Sequence, residues 1–322
     1  MSGLPAQFIT RLGRMFDPAT VSVIVESCKD RPASLRLNTL KAARPDLLSE
    51  LAGCGVRLRS LPWYADGFVL EHPSQRELME LPAYAEGRIY LQSLASMIPP
   101  VVLDPQPGDS VLDLTAAPGS KTGQMAMMMS CQGRLFVNDS NKVRFFKLRH
   151  NLQLLGLLDR NDGFIRLSLD DGCKVCGQWE ESFDKILLDA PCSAEARFRI
   201  NDERSYGYWS EKKIAENEHK QRRLLFSAWH ALKPDGVLVY STCTMAPEEN
   251  ECMIARLMKK YPDSVELLDA HVEGVDRLPA VMQWKGRPLP ESVARTLRVR
   301  PSDDIESFFV AKLKKHGHVS RE

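Results

Sequence analysis

From residue 108 onward, short apolar runs alternate with helical patterns, and that rhythm leaves few folds open. Residues 110–114, 134–137, 164–168, 184–188, 236–241, 264–268 and 307–313 read as strands. Helical periodicity fills 121–130, 141–155, about 211–232 and 247–260 between them. Strands separated by helices are joined by right-handed crossovers, which predicts an α/β fold with a mostly parallel sheet covered on both faces. Functional side chains in such sheets gather outside the carboxyl ends of the strands. The residues just after each apolar run therefore carry the functional reading.

The first hundred residues follow a different pattern. Helical stretches at 4–15 and 18–28 precede an alternating Ser-Leu-Arg-Leu-Asn-Thr run, a helix over 44–53, and strand-like segments at 56–61 and 67–71. The expected organisation is a small α/β domain over 1–100 and a catalytic domain over 101–316. The small domain carries Arg31, Arg36, Lys41, Arg44, Arg57 and Arg59. These form either an RNA-contacting face or an ordinary solvated surface. The formal net charge is only +1, so a nucleic-acid partner needs such a local basic face. Eight cysteines without framework spacing indicate free thiols in a reducing compartment. No secretory pattern stands at the N-terminus, and no apolar run reaches the ~18 residues of a membrane helix. A soluble, cytoplasmic, monomeric protein is expected, with no membrane partner.

The first strand of the alternating region is followed by Thr115, Ala116, Ala117, Pro118, Gly119, Ser120 and Lys121, opening a helix. Small residues there let a ligand approach the backbone and the helix N-terminus. A Walker loop would need glycine in place of Thr115 and Ser120, and the G-x-G-x-x-G fingerprint is missing, so a phosphate cradle is disfavoured. Asp139 follows the second strand, about 20 residues beyond Gly119, where nucleotide-binding sheets place an acid for ribose hydroxyls. Asp170 and Asp171 follow the third strand and Asp189 ends the fourth. Acids after successive strands would repel several phosphates. They suit an adenosine ligand with a cationic centre, such as S-adenosylmethionine. Any one of them would also serve as a helix N-cap.

Two strands end in cysteines. Asp189-Ala-Pro-Cys192 closes one and Ser-Thr-Cys243 another. A buried cysteine is often only packing. A pair beside a methyl-donor pocket has a chemical use, because carbon 5 of cytosine is a poor nucleophile. A thiolate adding to carbon 6 makes carbon 5 enamine-like, and a carboxyl group such as Asp189 can support ring nitrogen 3. The carbon-5 proton must then leave so that the thiol is expelled, and a second thiol could assist. The residues alone do not rank Cys192 and Cys243. Cys173-Lys-Val-Cys176 resembles half a zinc knuckle, but a structural zinc site needs four ligands and no second pair is present, so no metal is expected. A dithiol redox motif is no better supported, because no strand-to-helix setting is evident for it.

Thr-Ala-Ala-Pro-Gly-Ser-Lys, Asp-Ala-Pro-Cys-Ser and Ser-Thr-Cys-Thr-Met-Ala-Pro-Glu-Glu-Asn-Glu together resemble the motifs of the Nop/Sun family of RNA cytosine-5 methyltransferases. Leu-Arg-Leu-Asn-Thr-Leu-Lys near residue 35, Leu-Pro-Trp-Tyr-Ala-Asp-Gly-Phe near 61, Ile-Tyr-Leu-Gln-Ser-Leu-Ala-Ser-Met near 89 and Ser-Phe-Phe-Val-Ala-Lys-Leu near 307 extend the likeness over most of the chain. Among members it looks closest to the bacterial 16S rRNA cytosine methyltransferase F type. The resemblance implies a class I methyltransferase fold: a Rossmann-like, seven-stranded, mostly parallel sheet. It also implies S-adenosylmethionine as donor and a cytosine in structured RNA as acceptor. Carried over by motif, it makes Cys243 the nucleophile, Cys192 the thiol that assists product release, and Asp189 the acid between donor and base. Thr115 to Lys121, Asp139, Asp171 and Asp189 become the donor-binding set.

The sequence departs from the family where Pro-Cys-Ser usually continues into Gly-Glu-Gly; here it reads Ala194-Glu195-Ala196-Arg197. Alanine at a position requiring positive φ would cost ~1 kcal/mol or more. The F type also continues beyond its last strand into a further RNA-binding domain, whereas this sequence stops soon after 313. For RNA contact, Lys212, Lys213, Lys220, Arg222 and Arg223 add cations on the long helix, equally consistent with a solvated face. Tyr206, Tyr208 and Trp209 either stack on a base or pack the Pro-Cys loop, with packing the favoured reading. Ribosomal RNA (16S) is the expected substrate. The rivals are the same chemistry on transfer RNA, a non-catalytic RNA-binding assembly factor, and a DNA cytosine methyltransferase that attacks through the Pro-Cys thiol.

Overall fold

The computed structural model describes residues 3–319. Two sheets organise the chain. The small one is antiparallel and contains β1 (Ser34–Leu37), β2 (Arg57–Leu61), β3 (Tyr64–His72) and β4 (Ile89–Leu91), in the order β2-β3-β1-β4. Its core is Leu35, Leu37, Leu47, Leu51, Val56, Phe68 and Leu70. The helix Arg44–Gly53 closes one face through Leu47 and Leu51, the four-residue spacing that puts two side chains on one helical stripe.

The large sheet starts with β5 (Ser110–Asp113), β6 (Arg134–Asn138), β7 (Ile165–Ser168), β8 (Phe183–Asp189) and β9 (Leu232–Thr242). These five are parallel in the order β7-β6-β5-β8-β9. The chain then adds β10 (Val265–Leu268), β11 (Arg277–Leu278), the short hairpin β12 (Gln283–Trp284) and β13 (Arg287–Pro288), β14 (Leu297–Val299) and β15 (Phe309–Lys315). β15 pairs antiparallel with β9, and β10 and β14 share its other edge. The expected seven strands are present, but the sheet has nine, because β14 and β11 extend it beyond β15. Strands of two and three residues are too short to leave a periodic signal, so this extension was not legible. Buried clusters cover both faces. One centres on Val111, Leu135, Val137 and Leu187, the other on Leu112, Ile186, Leu188 and Trp229. The alternation of odd and even residues between faces is the period-2 pattern of a strand.

The first two helices, Ala6–Leu12 and Pro18–Glu26, do not join the small sheet's core. Phe8, Leu12, Phe16 and Ile24 pack with Phe198, Trp209, Met245 and Trp284 of the larger half. Arg11 fixes this docking. Its buried guanidinium donates to Glu248 at 2.7 Å and lies 5.2 Å from the Trp284 ring centroid.

Arg36 needs correction. The expected basic face includes it, yet it is fully buried. Its Nε donates to Gln92 Oε1 at 2.9 Å, and its guanidinium stacks 5.0 Å from the Tyr90 ring centroid. It ties the small sheet to the donor-loop helix and cannot meet RNA. Cys173 and Cys176 lie on the helix Gly172–Gln178, which follows β7 directly. The pair thus does have a strand-to-helix setting, contrary to the expectation. Among the described residues, no helix is long and apolar enough to cross a membrane.

Candidate active site

The carboxyl ends of β5, β6, β8 and β9 open onto one cavity of about 670 Å³. Its lining includes Thr115, Ala117, Pro118, Ser120 and Lys121 of the loop after β5, Asp139 after β6, and Asp189, Cys192 and Cys243. Three residues of the expected set stand apart. Ala116 is buried beneath the loop. Gly119 has φ +101 and starts the helix Ser120–Met128, so it shapes the loop through its backbone. Asp171 caps the helix Gly172–Gln178 by accepting the Cys173 N–H at 2.8 Å, while its neighbour Gly172 faces the cavity.

Asp139 is almost fully buried. It accepts the Ala117 N–H at 3.1 Å and the Asn141 N–H at 2.9 Å, so it holds the donor loop against β6. Asp113, buried beneath the loop, accepts from Thr122 Oγ1 at 2.6 Å, and burial pushes its carboxyl up to about 7.

Asp189 is fixed from two sides. Lys121 Nζ stands 2.7 Å from Oδ2, and Ser241 Oγ donates to Oδ1 at 2.8 Å. Asp189 and Ser241 are register partners on β8 and β9, so the second contact follows from strand pairing. Lys121 also donates to Ser96 at 2.8 Å. The sequence assigned Lys121 to the donor loop; the structure spends its charge on Asp189.

Cys192 and Cys243 lie just past those two register partners, and their sulfurs are 3.5 Å apart. Their surroundings differ. Either thiol could donate in this contact; a Cys243 thiolate accepts it from Cys192, which lowers the Cys243 thiol and raises that of Cys192. Burial opposes ionisation of both. Arg197 and Lys121 favour a Cys243 thiolate over the opposition of Asp189, whereas the charge of Cys243 itself, and of Glu249 once it ionises above about 8, disfavours a charge on Cys192. The residues alone had left the two thiols unranked; this electrostatic asymmetry makes Cys243 the more readily ionised.

Residues 100–314 match the family described as 16S rRNA methyltransferase RsmB/F, and residues 4–94 match the N-terminal domain of 16S rRNA methyltransferase RsmF. The chain belongs to the RsmB/F family of methyltransferases. It is 38% identical to ribosomal RNA small subunit methyltransferase F of Aeromonas salmonicida, over 98% of this chain but 65% of that protein's length. It is also 38% identical to the tRNA (cytosine(49)-C(5))-methyltransferase of Pyrococcus abyssi, over 88% of both chains. A solved methyltransferase homolog protein from Pyrococcus horikoshii is 32% identical, with a TM-score of 0.78 covering 97% of this chain and 100% of that one. NSun6 from Pyrococcus horikoshii, solved with SFG, shares the fold with a TM-score of 0.80 at 21% identity, over 98% and 99% of the two chains.

RsmB/F enzymes use S-adenosylmethionine, and this cavity suits it. The small-residue loop leaves backbone accessible, and carboxylates rather than phosphate-binding groups stand at Asp139 and Asp189. The sequence reading missed how this family member holds its two thiol loops together. Glu195 is buried and accepts from Trp209 Nε1 at 2.8 Å, Thr244 Oγ1 at 3.0 Å and the Met245 N–H at 3.0 Å. Glu249 accepts the Ser193 N–H at 3.1 Å and Gln221 Nε2 at 2.9 Å. The Ala196 N–H donates to the Cys243 carbonyl at 3.1 Å. The motif Pro247-Glu248-Glu249-Asn250-Glu251 thus places three buried acids on three different partners. The family motif that runs through these acids marked them in the sequence, but not which partner each one meets. Trp209 and Tyr206 pack against Phe198, in line with the favoured reading, while Tyr208 stays exposed.

Of the two alanines that replace glycine, Ala194 takes φ +56 and ψ 34, and Ala196 stays out of the left-handed region. Ala194 therefore carries about 1 kcal/mol of strain. Ala194→Gly relieves it against a smaller loss from the more flexible unfolded chain. The urea midpoint of the variant is expected to rise, by a stability gain of about 0.5 kcal/mol.

Burial raises the Glu249 carboxyl to about 8. Between its ordinary value of 4.5 and about 8, the folded chain holds a proton that the unfolded chain has released. Its contribution to stability is therefore complete below about 4.5 and is lost as pH rises through about 8. Unfolding free energies measured across that window should decline more steeply for the wild type than for Glu249→Gln.

Proposed function

We propose that the protein methylates carbon 5 of a cytosine in RNA through a covalent adduct at Cys243. One observation carries this reading: two thiols 3.5 Å apart, ranked by their surroundings, stand beside a fixed lysine–aspartate pair at the end of the donor cavity. Thr115, Ala117, Pro118, Ser120 and Asp139 hold the donor, with Ala116 and Gly119 shaping the loop and Asp171 setting the next helix. When bound, S-adenosylmethionine supplies an electrophilic methyl group.

The chain's own groups do the rest. Cys243 thiolate forms a bond to carbon 6, and ring nitrogen 3 takes a proton through the Asp189–Lys121 pair. Carbon 5 becomes enamine-like. Addition also turns Cys243 into a neutral thioether. The negative charge that held the Cys192 proton is then gone, so Cys192 ionises more easily and can take the carbon-5 proton. Loss of that proton breaks the carbon 6–sulfur bond and returns Cys243 as thiolate; nitrogen 3 gives its proton back to the Asp189–Lys121 pair, and the proton that Cys192 had released goes to solvent.

The preferred acceptor is small-subunit ribosomal RNA. Similarity to the F-type enzymes runs through the N-terminal domain and across 98% of the chain. Equal identity to the archaeal enzyme that acts on cytosine 49 supports transfer RNA as the second reading. Bisulfite sequencing of both RNA fractions from cells with and without the gene decides between them. Loss of a 16S site in the deletion supports the first, loss of a tRNA site the second, and an unchanged pattern in both overturns the activity.

A further inference from the structure

A second concave surface adjoins the active site. It is a cleft of about 500 Å³, and Leu91, Gln92, Ser93 and Arg197 line both it and the catalytic cavity. Arg197 is the only charged residue of those four. The residue is exposed and its side chain makes no hydrogen bond or ion pair among the described residues, although its charge also acts on Cys243 and Asp189. The other cations of the cleft are engaged: Lys29 with Asp303 at 2.7 Å, Arg199 with Asp30 at 2.8 Å, and Arg31 with the Ser27 carbonyl at 2.6 Å. Its two carboxylates are Asp202, paired with Arg204 at 2.9 Å, and Glu306. With those ion pairs set aside, Arg31 and Arg197 face the single carboxylate Glu306, so the cleft keeps a net positive charge, as a polyanion requires.

We infer that Arg197 binds a backbone phosphate of the RNA where the strand passes between the catalytic cavity and this cleft, and that the nucleotide adjacent to the target cytosine occupies the cleft. The inference rests on the RNA reading above and makes it specific. A target base turned into the cavity forces its phosphodiester across the rim, because the base cannot enter without its backbone staying outside. Arg197 stands on that rim. It ends the short turn Glu195–Arg197, whose backbone is tied to Cys243 through Ala196, so the phosphate contact and the nucleophile share one rigid loop. A guanidinium presents a fork of donors that matches phosphate oxygens.

The test is binding of a fluorescent, cytosine-containing single-stranded oligoribonucleotide to the full chain over a salt titration. Wild type, Arg197→Ala and Arg134→Ala are compared; Arg134 is the first residue of β6, at the amino ends of the parallel strands and away from the cavity. Arg197→Ala is expected to weaken binding about tenfold. The slope of log affinity against log salt should fall by about 0.7, the loss of one single-strand phosphate contact. Arg134→Ala should change neither. Unchanged affinity and slope in Arg197→Ala overturn the inference, as does a fall in turnover with no change in binding, which would place Arg197 on the thiolate alone. A wild type that binds no oligoribonucleotide also overturns it. Labelled-donor assays on total RNA run alongside: methylation by a wild type whose affinity ignores Arg197 leaves the enzyme reading standing and removes only this contact.

Discussion

Cys243→Ala is expected to abolish methyl transfer while leaving donor binding intact, and Cys192→Ala is expected to arrest the reaction later, with protein and RNA joined. The two effects differ because the thiols differ in environment, not in distance. Removing the nucleophile costs on the order of 10⁴-fold or more, the scale seen for other covalent nucleophiles. Donor binding survives because the loop from Thr115 to Lys121 is held by Asp139 and Asp113, and neither contact involves Cys243. Cys192→Ala leaves Cys243 beside Arg197 and Lys121, so addition to carbon 6 continues. Only removal of the carbon-5 proton fails, and the adduct accumulates as a band of retarded mobility under denaturing conditions. An active Cys243→Ala enzyme would reassign the nucleophile. A free, unmodified Cys192→Ala protein after incubation with RNA and donor would remove Cys192 from product release.

The largest stability effect is expected at Arg298. Its guanidinium is 1% exposed and meets Glu251, 0% exposed, through Nε–Oε1 at 2.5 Å and Nη2–Oε2 at 2.6 Å. A third donor reaches the Met245 carbonyl at 3.0 Å. The pair links β14, the start of the helix Glu251–Lys260, and the loop that carries Cys243. Arg298→Met leaves a buried carboxylate without its counter-charge, at a cost of about 3–5 kcal/mol. Adding Glu251→Gln restores part of that loss, because the stranded charge is removed. Urea unfolding of the single and double variants measures both numbers. A single variant destabilised by less than about 1 kcal/mol would show that water or a shifted cation reaches Glu251.

Much of this was legible from strand ends. The apolar runs gave four of the five parallel strands to within a residue at each end, since period and length separate buried strands from helices; β9 begins at Leu232, four residues before its apolar run. They also located Asp139, Asp189, Cys192 and Cys243, because side chains just past a parallel strand have one edge to gather on. Partnership was not legible. Lys121 meets Asp189, Glu249 meets Ser193 and Arg298 meets Glu251 across the sheet, and no local pattern encodes which charge faces which. Arg36 misled because alternation marks which face a residue occupies, not whether another layer covers that face. Ala194 was legible in part: two alanines stood where glycines were expected, and only the backbone could say which of them is strained.

The central claim is that Cys243, and not Cys192, attacks the base. Incubating the wild type with donor and RNA containing 5-fluorocytosine traps the methylated adduct, because fluorine at carbon 5 cannot leave as the proton does. Nuclease and protease digestion followed by mass spectrometry then identifies the cysteine that carries the nucleotide. The account predicts the modification on the peptide containing Cys243, with none on the peptide containing Cys192. Modification of Cys192 instead would contradict it.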